Sequence, residues 1–209
     1  LANYPEYRDV LERLRGKQRE LALRIRDVGF LPEADMHQRA KGKTAYEVGH
    51  DPALPLERII QTAEQASSLS SDAVSHLKGL LSDTDAAVRY WAVMGIRMRG
   101  REAVIECEEA LEEALSSDPS PSVKIVAAEA LGLYGKQSGL DRCLKVLLDF
   151  ADVRKHGVYV SIAALNAIDE LDGRALGIKG AIRALPKDDP NLDQRLRGYT
   201  GRLLEKILA

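Results

Sequence analysis

Five residues close together in the chain, Arg89, Tyr90, Arg97, Arg99 and Arg101, form the set best equipped to meet a ligand. Guanidinium groups hold sulfate or carboxylate oxygens in forked hydrogen bonds, and a tyrosine ring adds a flat face with a polar tip. Together they form a candidate interaction surface, in which Arg97, Arg99 and Arg101 could receive sulfate or carboxylate groups of a polyanionic glycan and Arg89 and Tyr90 are surface candidates. They do not make a catalytic centre. A second account of the arginines is structural and is favoured: Arg97, Arg99 and Arg101 stand near the end of a helical stretch, where cations complement the helix dipole and nearby glutamates. Trp91, the sole tryptophan, has the ring for stacking on a sugar. Its spacing to Val88 and Gly95 instead puts it on an apolar stripe, so packing is the expectation.

The other reactive side chains are dispersed. His37, His50, His76 and His156 show no helical pairing with one another, and neither Cys107 nor Cys143 completes a ligand set, so no protein-made zinc or iron site is expected. The two cysteines are expected as a free buried pair rather than a disulfide. Glu102, Glu106, Glu109 and Glu113 follow helical spacing, and a solvated outer face is favoured over a surface for cations or basic partners. No constellation here suffices for catalysis, and no cofactor is expected in this chain.

What must position these residues is a repeat. LLSDTDAAVRYWAVMGIRMRG at 80–100 aligns with LSSDPSPSVKIVAAEALGLYG at 115–135, so that Asp83, Val88 and Gly100 match Asp118, Val123 and Gly135, each 35 residues on. A fixed period of that size marks stacked helical hairpins. A worn third copy covers 144–173, with Leu131 matching Leu165 and the glycine spacing stretched to 38. Ala92, Gly95, Ala127 and Ala130 would let paired helices approach closely. The predicted fold class is therefore all-α, a solenoid of helical hairpins. Upstream, 7–26 reads as an amphipathic helix with Val10, Leu11, Leu14, Leu21 and Ile25 on a narrow stripe, ended by Gly29 and Pro32. A polar connector with a short helix near 32–39 follows. After it comes a helix from Pro55 with Leu56, Ile59, Ile60, Ala63 and Ala66 on one face, then one through Leu77 for which Ser71 and Asp72 offer N-caps. The chain is divided into 1–54, an N-terminal helix and connector, which the second resemblance below implies is the tail of an upstream catalytic domain, and 55–209, the repeats with capping helices at about 175–185 and 192–208.

Bulk properties narrow the classes. Thirty basic against 32 acidic groups leave a net charge of −2, so the chain as a whole has no electrostatic footprint for nucleic acid. There is no run of apolar residues long enough to span a membrane. The chain starts at Leu1 rather than Met, which is expected of a piece of something longer, with any leader removed from view.

Two resemblances sharpen the reading. LLSDTDAAVRYWAVMGI and ALSSDPSPSVKIVAAEAL resemble HEAT-like repeats, in which a Leu-rich helix, an Asp-bearing turn and a Val-Arg-alanine helix succeed one another. Lys124 stands where that pattern has arginine, so the forked contact that Arg89 can make to a turn carboxylate such as Asp83 or Asp85 has no equivalent there. More narrowly, the words at 26–33, Tyr46-Glu47, 55–59 and 88–92 together resemble the C-terminal region of bacterial sulfatases of the alkaline-phosphatase superfamily, whose catalytic domain is followed by HEAT-like repeats. That resemblance implies a parent protein that hydrolyses sulfate esters, periplasmic or secreted, with calcium and a formylglycine made within a Cys/Ser-x-Pro-x-Arg motif. The motif does not occur here. Ser117-Asp118-Pro119-Ser120-Pro121 comes nearest, with proline in place of arginine, and it is expected to be a turn.

The leading expectation is a non-catalytic HEAT-like module of a multidomain sulfatase, serving packing, oligomer contact or substrate access. Its partner in cis would be the upstream catalytic domain, with self-association a second contact. The isolated module should then expose Val10, Leu14, Leu21 and Ile25 or bury them in a self-contact. The alternative is a free-standing adaptor whose concave surface binds a protein, with the first helix folded back as a cap. An enzyme on this scaffold, such as a DNA glycosylase, would need a basic groove that the net charge argues against.

Overall fold

The computed structural model describes residues 4–209; residues 1–3, which open the 1–54 segment, lie outside the described residues. Among the described residues the ordered elements are all helical. An N-terminal part comprises α1 (Arg8–Arg24), α2 (Glu33–Arg39) and α3 (Ala45–Gly49). Helices α4 (Leu56–Ser68), α5 (Val74–Leu80), α6 (Ala86–Met98), α7 (Arg101–Glu106), α8 (Glu108–Ser117) and α9 (Pro121–Tyr134) follow. The C-terminal part holds α10 (Leu140–Phe150), α11 (Val153–His156), α12 (Val158–Leu171), α13 (Lys179–Arg183) and α14 (Tyr199–Leu208).

The helices form two rows. One runs α4, α6, α9, α12, α14, each packed on the next; against it lie α5 on α6, α8 on α9, and α10 on both α9 and α12. Leu77, Val93, Ile96, Leu111, Leu115, Val123, Ala127, Leu144, Leu147, Leu165 and Ile168 interlock between the rows in one continuous core. Small residues set the spacing: a methyl group at Gly95 would lie 3.0 Å from Ala66 Cα and 2.9 Å from Leu77 Cδ1. Ala92, Ala127 and Ala130 are fully buried as the close-approach argument requires. The expected stripe of α4 is also buried in full.

The two aligned glycines do different jobs. Gly100 takes φ 78°, ψ −158°, a conformation that side-chain-bearing residues avoid, as it opens α7. Gly135 is extended at φ −72°, and what it lacks is room, since a Cβ there would meet the Leu131 carbonyl at 2.7 Å.

Several boundaries differ from expectation for local reasons. Helix α1 stops at Arg24, and the reversal falls on Arg26 at φ 55° rather than on Gly29. Arg26 tolerates the left-handed turn because its Nε donates to the Gly49 carbonyl at 2.6 Å, while Gly29 N donates to Asp27 Oδ1 in a short turn of its own. Neither Ser71 nor Asp72 caps α5, which instead grows out of a 3-10 turn at Ser71–Ala73. The outer helix of the second hairpin breaks at Cys107 into α7 and α8. At the C-terminal end, residues 184–198 are irregular and α14 begins only at Tyr199, after Gly198 at φ 81°.

The chain shows no break in packing at 54/55. Leu31, Val48 and Leu54 share a second buried cluster with Leu56, Ile59, Ile60, Ala87 and Val88, so the connector is built into the first hairpin. The tie is polar as well: Trp91 Nε1 donates to the Phe30 carbonyl at 2.7 Å. Trp91 is thus a half-buried anchor for residues 28–30. Helix α1 is the exception. It touches α4 and buries only Ala22, with Arg19 reaching Glu64 at 2.8 Å.

Candidate interaction surface

The structure spends the expected arginine set internally. Arg89, expected at the surface, is 8% exposed. Its Nε and Nη2 grip Asp118 Oδ2 and Oδ1 at 2.6 and 2.9 Å, and its Nη1 reaches the carbonyls of Asp83 and Thr84 at 2.8 and 3.2 Å. The fork anticipated toward Asp83 or Asp85 therefore goes to the turn of the following hairpin, because Asp83 and Asp85 are engaged by Arg58 and Arg39. The Asp118 hydrogen bonds hold Arg89 protonated above its ordinary range, against the cost of burial. Arg99 donates to the carbonyls of Gln65, Ala66, Ser70 and Gly95, closing the C-terminal end of α4, and burial pulls its proton affinity down. Arg101 donates to the Tyr134 carbonyl at the end of α9. Arg97 pairs with Glu129 and stands 3.7 Å from Glu170. A carbonyl-capping role accounts for Arg99 and Arg101, as helix C-termini favour cations.

Lys124, 35 positions on from Arg89, makes no such fork. It donates to the Ser116 carbonyl at 3.1 Å, and Asp152, at the Asp118-equivalent position in the next turn, is left with Lys155 at 3.9 Å and the Arg154 amide. Among the described residues the forked Arg–Asp link from a hairpin helix to the next turn is therefore the Arg89–Asp118 pair, while Arg58 reaches Asp83 through a single nitrogen.

Helix α2 lies across the row, packed on α9 and α12. Arg39 forks onto Asp85 at 3.0 and 3.1 Å while its Nε holds Asp35 at 3.0 Å. Burial raises the proton affinity of the Asp35 carboxyl, Arg39 opposing it and Asp85 adding to it. His37 stacks on Tyr159 with ring centroids 3.8 Å apart, and its Nε2 lies 3.0 Å from Glu33.

Beside α2 a groove of about 350 Å³ opens along α6, α9 and α12. Its apolar floor includes Met94, Ile125, Val126 and Ala163, its aromatic walls are Tyr90 and Tyr159, and its carboxylates are Glu33, Glu129 and Glu170. Burial raises the Glu129 carboxyl, with Arg97 pulling it back, and burial together with Glu129 raises the Tyr90 phenol. Of the five expected residues only Tyr90 lines this groove. Glu129, Tyr159 and Glu170 went unrecognised, although the repeat carried a signal: Tyr90, Ile125 and Tyr159 occupy equivalent positions, 35 and then 34 residues apart, as do Met94, Glu129 and Ala163.

The remaining candidates are dispersed. Glu102, Glu106, Glu109 and Glu113 are all exposed along α7 and α8. Cys107 and Cys143 are free and buried, the Cys143 thiol pushed up to about 11 by burial. Among the described residues no group of three or more His, Cys, Asp or Glu side chains converges as a metal site. The Ser117–Pro121 turn does not suit a formylglycine: Asp118 is locked under Arg89 and also accepts from Ser120 N at 2.7 Å, and Pro121 opens α9 where the motif needs a guanidinium. Nor does any helix have the length and apolarity to cross a membrane among the described residues.

No family model matches the chain, and no curated protein matches it.

Proposed function

We propose that this chain is a non-catalytic HEAT-like helical module that docks through α1 onto a further domain of its own polypeptide, that domain being a sulfatase catalytic domain. The observation that carries the reading is the face of α1. Val10, Leu14 and Leu21 are 41%, 59% and 46% exposed on a helix of 17 residues that buries a single alanine, and Ile25 at its C-cap is 55% exposed. An apolar stripe of that length costs hydration free energy unless something covers it. In an adaptor whose first helix caps the repeats, the same stripe would lie against α4, and it does not. Two of the words that resemble sulfatase sequence meet in space, as Trp91 donates to the Phe30 carbonyl, and two others reach neighbouring turns, Arg26 to Gly49 and Arg58 to Asp83. This convergence supports a unit that positions α1; the sulfatase assignment rests on resemblance.

The role proposed for the module is packing and presentation. A direct part in gripping a sulfated substrate is disfavoured by geometry, because Arg89, Arg97, Arg99 and Arg101 are already bonded to carboxylates or carbonyls. The test is the intact mass of the native polypeptide with peptide sequencing upstream of Leu1. A longer chain carrying Cys/Ser-x-Pro-x-Arg in an alkaline-phosphatase-like sequence is the expected result. A native chain beginning near Leu1 would overturn the proposal and leave the adaptor reading, for which the groove along α6, α9 and α12 is the favoured surface.

A further inference from the structure

The groove along α6, α9 and α12 has a chemistry that selects its occupant. Its lining residues include three carboxylates, on Glu33, Glu129 and Glu170, and neither a lysine nor an arginine. The chain as a whole is almost balanced, at −2, so this concentration of one sign is local. Glu33 has His37 at 3.0 Å, and the other two carboxylates are incompletely paired. Arg97 engages Glu129 Oε1, Oε2 has no hydrogen-bond donor among the described residues, and the nearest cation to Glu170 is Arg97 at 3.7 Å. Burial raises the Glu129 carboxyl above its ordinary range, with Arg97 opposing and Glu170 adding to the shift.

The rest of the lining is apolar or aromatic. Tyr90 and the face of Tyr159 not stacked on His37 present rings on which an ammonium or guanidinium group can rest, while the half-buried Met94 and Ala163 offer contact for an aliphatic stem or an apolar neighbour. Tyr90, Ile125 and Tyr159 recur at equivalent repeat positions, so the groove is a track across three parallel helices rather than a single pit. A track of alternating apolar and acidic ground suits a chain of residues better than one small cation.

We propose that this groove binds a basic peptide segment of a protein partner, with apolar side chains against Met94 and Ala163 and a lysine or arginine directed to Glu129 and Glu170. The proposal is independent of what α1 docks against. It predicts the opposite charge preference from a glycan-binding surface.

The probe is a fluorescein-labelled extended peptide alternating leucine and arginine, titrated into the whole chain by anisotropy, with the same peptide carrying glutamate for arginine as comparison. Trp91 gives a second readout, since its ring lies edge-on to Tyr90 with centroids 5.6 Å apart. Saturable binding of the basic peptide with a change in Trp91 emission is expected, together with a loss of roughly tenfold in Glu170→Lys and of about threefold in Glu170→Gln. Glu170 is exposed, so neither change threatens the fold. Replacing Glu109 and Glu113 on the outer face by glutamine should leave the affinity unchanged, which separates the groove from general attraction to acidic surface. Equal binding of the glutamate peptide, indifference to Glu170→Lys, a loss of affinity confined to the outer-face variant, or saturation by free arginine amide at the same concentration as the peptide would each overturn the proposal.

Discussion

Asp118→Asn is the substitution whose cost follows most directly from the structure. It keeps the shape of the side chain and an oxygen to accept from Ser120 N, but removes the charge facing Arg89. The Arg89 and Asp118 side chains are 10% and 5% exposed, so little water is available to replace the lost partner. Breaking a buried pair by removing one member costs about 3–5 kcal/mol. The lower end applies here, because Arg89 retains the Asp83 and Thr84 carbonyls and one oxygen of the asparagine. About 3 kcal/mol corresponds to a fall of roughly 6–12 °C in Tm for a chain of this size. The comparison is Asp152→Asn, at the equivalent turn, where Lys124 has turned away to Ser116 and no guanidinium waits. That change should cost no more than about 1 kcal/mol, as for a partly exposed ion pair. Urea and thermal unfolding of both variants would measure the difference. If Asp118→Asn and Asp152→Asn destabilised equally, the argument that Arg89 couples the first two hairpins would be wrong.

Acidity offers a second check. Burial raises the Asp35 carboxyl, so the folded state binds that proton more tightly than the unfolded state, and ionising it weakens the fold as pH rises through the window between the ordinary and the raised value. Asp35→Asn should therefore be the more stable form at pH 7, with its advantage shrinking on acidification; an advantage that grows at low pH would contradict this. Gly95→Ala should cost about 1–3 kcal/mol in chemical unfolding, since the added methyl presses on Ala66 Cα at 3.0 Å, and a neutral effect would mean that α4 and α6 can part. Cys107 and Cys143 should resist iodoacetamide in the native chain and react once urea unfolds it, as buried thiols whose proton affinity is raised. Rapid native labelling would show that the core opens readily.

The repeat made the helical hairpins legible, because a period of 35 residues and the buried stripes at Ile59, Ile60, Val88, Val123 and Leu131 constrain helices of one length to stack. What sequence could not carry was the connector. Residues 28–54 are polar and punctuated by glycine and proline, which looks like a linker. Their cohesion comes from pairings across more than twenty residues, such as Arg39 with Asp85 and Trp91 with Phe30, that no local pattern announces. The arginines read in sequence as helix-end cations, but the groups they would meet were not legible for a related reason. A guanidinium near a helix end reads the same whether it faces solvent or a neighbouring helix's carbonyls, and only packing showed Arg99 closing α4. Helix α1 was the reverse case, since its stripe was plain and the absence of a covering surface became visible only in three dimensions.

The most direct test of the central claim is hydrogen exchange of α1, compared between this chain alone and the native polypeptide. Helix α1 should exchange far faster than α6 or α9 in the isolated chain, because it buries only Ala22, and should become strongly protected in the native polypeptide, with Val10, Leu14, Leu21 and Ile25 covered. Equal exchange of α1 in the two forms would contradict the claim that this face docks onto another domain.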